Sequence, residues 1–132
     1  MKLLCVAPEL VRQALPLADR YIRTAIESVA ISEPEDAFAN VIEGRALLWM
    51  VVDGEKIVGA VVTELQVFKG RKTCVIIAYG SDDHTGCGHL ITNLEAFARA
   101  EKCAAIRLNG RKGWMRRLPD YSVKAVIMEK AL

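Results

Sequence analysis

The chain has no apolar run long enough to cross a bilayer, and the apolar part of its opening, MKLLCVAPELVRQ, is too short for a secretory signal. It has no C-x-x-C pair either. Cys5, Cys74, Cys87 and Cys103 are scattered, and all but Cys87 sit among apolar neighbours. That pattern argues against a zinc or disulfide framework and for reduced core thiols, as in a cytoplasmic protein. No metal site is expected. Ser81 has no His/Asp partners at a recognised spacing, which removes a serine triad. The sequence also lacks internal repeats, low-complexity segments and linkers. Its 132 residues therefore read as a single domain, large enough to bury a real core.

Hydrophobic residues make up 52% of the chain and charged residues 26%, which excludes a disordered polypeptide. Net charge is only +2, yet it is unevenly spread. From Glu27 to Glu55 seven acids face one base, Arg45; from Arg99 to Arg117 seven bases face Glu101 alone. Such a basic stretch attracts phosphates of a nucleotide cofactor, a nucleic acid or an acidic partner, although a solvated charged face is the commoner explanation.

Lys2 to Val6 reads as a short strand. Pro8 can open a helix whose apolar stripe is Val11, Leu15, Ala18, Ile22, Ala25 and Val29. Pro16 predicts a kink there, or a short first turn with the main helix starting near Leu17. Ser32 and Glu35 form a capping-box pattern for a second helix from about Glu33 to Ile42, ending at Gly44. Strands at Ala46–Val52 and Lys56–Phe68 follow, joined by Asp53-Gly54, where both turn residues are expected at positive φ. Gly59 marks a bulge or a close backbone approach.

The stretch Thr73–Lys102 is the centre of the chain. An apolar run, Cys74 to Tyr79, leads through Gly80 and the polar residues Ser81 to Thr85 into Gly86-Cys87-Gly88. Leu90, Ile91, Leu94, Phe97 and Ala98 then recur at helical spacing. The pattern is buried strand, glycine loop, amphipathic helix. Unpaired amides at the start of such a helix attract anions, and glycines let an anion approach. The same glycines can equally make nothing more than a tight turn. A strand at Ala104–Leu108, a short basic segment at Trp114–Leu118 and a last strand at Ser122–Glu129 complete the order β-α-α-β-β-β-α-β-α-β. The expected fold is α/β (α+β): a mixed, mostly antiparallel six-stranded sheet with helices on both faces.

Element order, hairpin position and the strand–glycine-loop–helix junction resemble the GNAT (N-acetyltransferase) superfamily over nearly the whole chain. The resemblance implies an acetyl-CoA cofactor in a cleft where Cys74–Tyr79 splays from Ala105–Leu108. The family's Gln/Arg-x-x-Gly-x-Gly/Ala loop aligns with Asp83-His84-Thr85-Gly86-Cys87-Gly88. Both glycines match, whereas Asp83 stands where the family has Gln or Arg, with Asp82 beside it. Two carboxylates near a pyrophosphate repel it unless they turn outward. The implied cofactor-binding residues are Ile77, Ala78, Tyr79, His84, Thr85, Gly86, Cys87, Gly88, His89, Asn109 and Arg111, with Arg111 and Lys112 meeting the 3′-phosphate. Many GNAT enzymes place a tyrosine acid after the fifth strand; here Arg116 falls near that position, and an arginine cannot protonate a thiolate. Glu64, as a base, and Tyr79, as an acid, are the substitute catalytic residues.

Two classes of function follow. One is an acetyl-CoA-dependent N-acyltransferase acting on a small-molecule or protein amine. The other is a GNAT-like binding or assembly module without catalysis, with a protein partner or self-association. Segment Gly110–Leu118, GRKGWMRRL, resembles small phage-type GNAT-like domains, which would place the protein in the cytoplasm or on a virion. Nucleic acid, with Trp114 as a stacking platform, is the lesser option, and no membrane is expected.

Overall fold

The structure is a computed structural model that describes residues 1–82 and 87–132. The elements are β1 (Lys2–Cys5), a 3-10 turn (Pro8–Leu10), α1 (Val11–Val29), α2 (Pro34–Ile42), β2 (Leu47–Asp53), β3 (Lys56–Phe68), β4 (Arg71–Ser81), α3 (Cys87–Ala100), β5 (Ala105–Leu108) and α4 (Trp114–Arg117). The strands lie in chain order, antiparallel throughout except for the parallel pair β4–β5. The mixed, mostly antiparallel α/β architecture expected from the sequence is present.

Strand alternation divides the core in two. Leu48 and Met50 of β2, with Ala60 and Val62 of β3, meet Ala18, Ile22 and Ile26 of α1 and Val41 of α2 on one face. Trp49, Val51 and Val61 meet Leu90, Ile91 and Leu94 of α3 on the other. Helices thus cover both faces of the sheet. Among the described residues, no helix is long and apolar enough to cross a membrane.

Four local expectations change. Among the described residues the sheet has five strands, not six: Ser122–Glu129 is irregular and exposed, and no described strand takes up its backbone hydrogen bonds. α1 runs as one continuous helix through the exposed Pro16 and does not restart near Leu17, although the ring leaves the Arg12 carbonyl without its amide partner. The capping box does not form. Glu33 is the N-cap and makes no side-chain cap bond, while Glu35 instead accepts a 2.8 Å bond from Arg23 Nη1. In the β2–β3 hairpin the paired positions are Asp53 and Lys56, so the loop is Gly54-Glu55 and only Gly54 has positive φ, at 64°. That is the pattern of a type II′ turn. The bulge expected near Gly59 is present, since Val51 pairs with Gly59 and Val52 with Ile57, leaving Val58 as the extra residue.

Candidate functional site

β5 pairs with β4 at only four positions, from Thr73↔Ala105 to Ile76↔Leu108, and a last bond joins the Asn109 amide to the Ile76 carbonyl at 3.0 Å. β4 then continues to Ser81 with no β5 residue in register. The parting coincides with a bulge on the other side of β4. Val62 pairs with Ala78 and Thr63 with Ile76, so Ile77 is the extra residue. A bulge bends its strand and raises the local twist, which steers the tip of β4 away from β5. Its effect on side chains is visible, because consecutive Ile77 and Ala78 both pack on the α1 face. The opposing Thr63 is fully buried, and its hydroxyl accepts a 2.9 Å bond from Trp49 Nε1, which fixes the strand beside the bulge.

The opening is a cleft of about 490 Å³. Its α1 wall carries Arg20, Tyr21, Thr24 and Ser28; its β4 wall carries Tyr79, Gly80, Ser81 and Asp82; Asn109, Arg111 and Trp114 close it from the segment after β5. The two main walls meet at Gly80, where an added Cβ would lie 2.3 Å from the Tyr21 carbonyl oxygen. On the far side of Gly80, its own carbonyl oxygen would lie 2.6 Å from a Cβ at Gly59. Only glycine permits three backbones this close. Tyr79 is buried, and Trp114 packs on it edge-to-face with ring centroids 5.1 Å apart. Trp114 therefore anchors α4 to the sheet.

Asp82 turns away from the repulsive role its charge suggests. Its carboxylate accepts bonds from Arg20 Nη1 at 3.0 Å, Arg20 Nη2 at 3.2 Å and the Tyr21 hydroxyl at 2.7 Å. Arg20 also donates to the Tyr21 oxygen and lies over its ring. The Tyr21 and Arg20 bonds hold the Asp82 carboxyl below its ordinary range, while burial, reinforced by Asp82, raises the Tyr21 phenol. Asp82 is thus neutralised by α1, and Arg111, with no ion pair among the described residues, is the uncompensated cation of the cleft.

Of the residues expected from the sequence, Tyr79, Asn109 and Arg111 line this cleft. Ile77 and Ala78 form the bulged β4 segment behind it, and Gly88 and His89 are exposed in the first turn of α3, which begins at Cys87. His84, Thr85 and Gly86, together with Asp83, lie outside the described residues. Glu64 is not brought to the cleft. It pairs with Val75, three β3 positions beyond the residue opposite Tyr79, about 10 Å along the strand. Burial raises its carboxyl, partly opposed by Arg45. The α1 wall is absent from the sequence expectations. Its signal was available as Arg20, Thr24 and Ser28, a polar line at four-residue spacing beside the apolar stripe.

Solved structures of GNAT acetyltransferases share this fold. The fold matches a GNAT family acetyltransferase from Staphylococcus aureus with a TM-score of 0.63 at 15% identity, over 99% of this chain and 98% of that one. It matches a ribosomal-protein-alanine N-acetyltransferase from Brucella melitensis with a TM-score of 0.64 at 15% identity, over 100% and 99%. An aminoglycoside acetyltransferase from an uncultured soil metagenomic sample, in complex with sisomicin, gives 0.67 at 15% identity over 99% and 95%. The chain has the GNAT fold from end to end. By sequence it matches no protein-family profile and no curated protein.

Proposed function

We propose that this protein is an N-acyltransferase that moves an acetyl group from acetyl-CoA to an amine. The observation that carries the reading is the parting of β4 from β5 at Ile76, with the bulge at Ile77 and a cleft running from there to α1. The residues present fit the cofactor. The β4 segment from Ile77 to Ser81 offers an extended backbone, a Cβ at Gly88 in the first turn of α3 would meet nothing within 4 Å among the described residues, and Arg111 and Lys112 are exposed for phosphates. When bound, the cofactor supplies an activated thioester carbonyl.

This chain's residues then have separate tasks. Ile77, Ala78 and Tyr79 present their backbone to the pantetheine arm, and Asn109 and Arg111 hold the opposite wall. The first turn of α3, with Cys87, Gly88 and His89, follows the phosphate loop of His84, Thr85 and Gly86. Thr24 and Ser28 orient the acceptor from the α1 wall. Tyr79 is the proton donor of choice, as a phenol in the cleft wall; Glu64 lies too far along the strand to share a proton with it directly. A second reading, a binding module without catalysis, is favoured by one observation: Val126, Ile127 and Met128 near the C-terminus are exposed apolar residues without obvious use to an enzyme.

Thermal melting with and without millimolar acetyl-CoA separates the two. A ligand at one hundred times its dissociation constant stabilises by about 2.7 kcal/mol. A melt unmoved by acetyl-CoA, with no CoA in the purified protein by mass spectrometry, overturns the enzyme reading. Gly86→Glu should remove the acetyl-CoA shift and leave the unliganded melt unchanged.

A further inference from the structure

We propose that Arg20 is a positioning residue for the cofactor: by masking the Asp82 carboxylate, it lets the phosphates of acetyl-CoA settle close to a fixed negative charge. The inference rests on the acyl-transfer reading and adds to it a residue of the α1 wall. Asp82 and Cys87 are the described residues that flank the stretch assigned to the phosphates. A bare carboxylate at that place would repel them, since like charges act on each other across several ångströms.

The chain has little freedom to move Asp82 aside. Its amide donates to the Val58 carbonyl at 2.8 Å, which ties its backbone to β3. Gly80, just before it, packs so closely on the Tyr21 carbonyl that no Cβ fits between them. The strand itself thus delivers the carboxylate to the wall of the cleft, and α1 meets it there. Arg20 Nη1 and Nη2 donate to its two oxygens at 3.0 and 3.2 Å, and the Tyr21 hydroxyl donates at 2.7 Å. Arg20 is held in turn, because its guanidinium lies 4.0 Å from the centroid of the Tyr21 ring and Nη2 donates to the Tyr21 oxygen. A guanidinium fork on both carboxylate oxygens sets the opposite charge at contact distance in one fixed geometry. The Tyr21 and Arg20 bonds also lower the Asp82 carboxyl, so the charge is masked and not removed.

A masked carboxylate presents a dipole, whose field fades faster with distance than that of a lone charge. The pair does little for the fold, because its side chains are 69% and 41% exposed and such pairs contribute little to stability. Its benefit falls on an incoming anion. Lys56 also acts on Asp82, but it forms no ion pair with it among the described residues. Nor is Arg20 itself the phosphate ligand. Its two terminal nitrogens are committed to Asp82 and Tyr21, which leaves Arg111 as the cation of the cleft open to the cofactor.

The test is titration calorimetry of the full chain with CoA at low salt. Arg20→Gln should raise the dissociation constant about fivefold, whereas Arg20→Lys, which keeps the charge, should stay within about twofold of the unmodified chain. Asp82→Asn in the Arg20→Gln background should restore binding to within about twofold, because no bare carboxylate is left to mask. In about 0.5 M salt the Arg20→Gln deficit should shrink below about twofold. A double variant as weak as Arg20→Gln overturns the proposal, since Arg20 would then touch the cofactor or prop the wall. So does a deficit that survives high salt, or an Arg20→Gln chain that binds CoA as well as the unmodified one. If the unmodified chain itself binds no CoA, the acyl-transfer reading falls, and this inference falls with it.

Discussion

The two halves of β4 are made of similar residues and do opposite things. From Thr73 to Ile76 the strand is buried and zipped to β3 on one side and β5 on the other. From Ile77 to Ser81 it keeps β3, loses β5 and turns to face α1. The base half is a load of apolar contacts, with Cys74 and Ile76 fully covered, and burial drives the Cys74 thiol up to about 11. In the tip half Ala78 and Tyr79 stay buried while Ile77, Gly80 and Ser81 are partly exposed, and its neighbours in the cleft are Arg20, Tyr21 and Arg111. One extra residue, Ile77, separates the half paired on both sides from the half that borders the cleft. Rigid pairing below lets the tip hold a fixed opening above.

That contrast can be broken from either end. Truncating the base should have the largest effect on stability: Ile76→Ala removes a fully buried side chain and is expected to cost about 4 kcal/mol in urea unfolding, with the acetyl-CoA melt shift retained. Gly80→Ala comes next, at about 3 kcal/mol, because its Cβ must push α1 away from 2.3 Å; here the acetyl-CoA shift should fall along with stability. If Gly80→Ala leaves both unchanged, the tip is not clamped by α1.

Tyr79→Phe should cost less than about 1.5 kcal/mol of stability while lowering acetyl transfer at least tenfold, measured as kcat with a saturating amine. Equal loss of stability and activity would mean that the ring packs and the hydroxyl does nothing. The smallest effect is expected at the exposed Arg20–Asp82 pair. Since the Asp82 carboxyl is held below its ordinary value of 3.8, its contribution is fully present above that value and disappears as pH falls through the lower, folded-state value. The melting difference between the unmodified chain and Asp82→Asn should therefore stay constant from pH 7 to pH 5 and vanish in stronger acid. A difference that grows on acidification would contradict the pairing.

Much of this was legible beforehand because it depends on short-range rules. The hairpin at Gly54, the helix stripes with Ile22 and Leu94 in the core, and the parallel crossover through α3 all follow from periodicity and turn chemistry. Tyr79, Asn109 and Arg111, which the family resemblance singles out, line the cleft. Glu64 lies along β3 away from the cleft, and strand alternation says which face a residue shares but not which end of a sheet opens. Tyr21 was overlooked for a related reason: its value lies in a meeting with Asp82 across 61 positions of chain.

Local sequence, then, determined where strands and helices form, since propensity, glycine and alternation act within a few residues of one another. It also determined that Ser122–Glu129 has the character of a strand. Whether that segment finds an edge, whether Asp82 repels or is neutralised, and where β4 leaves β5 were decided by the tertiary structure alone. Each depends on groups far apart in the chain, and their pairing energies exist only once the sheet and α1 have come together.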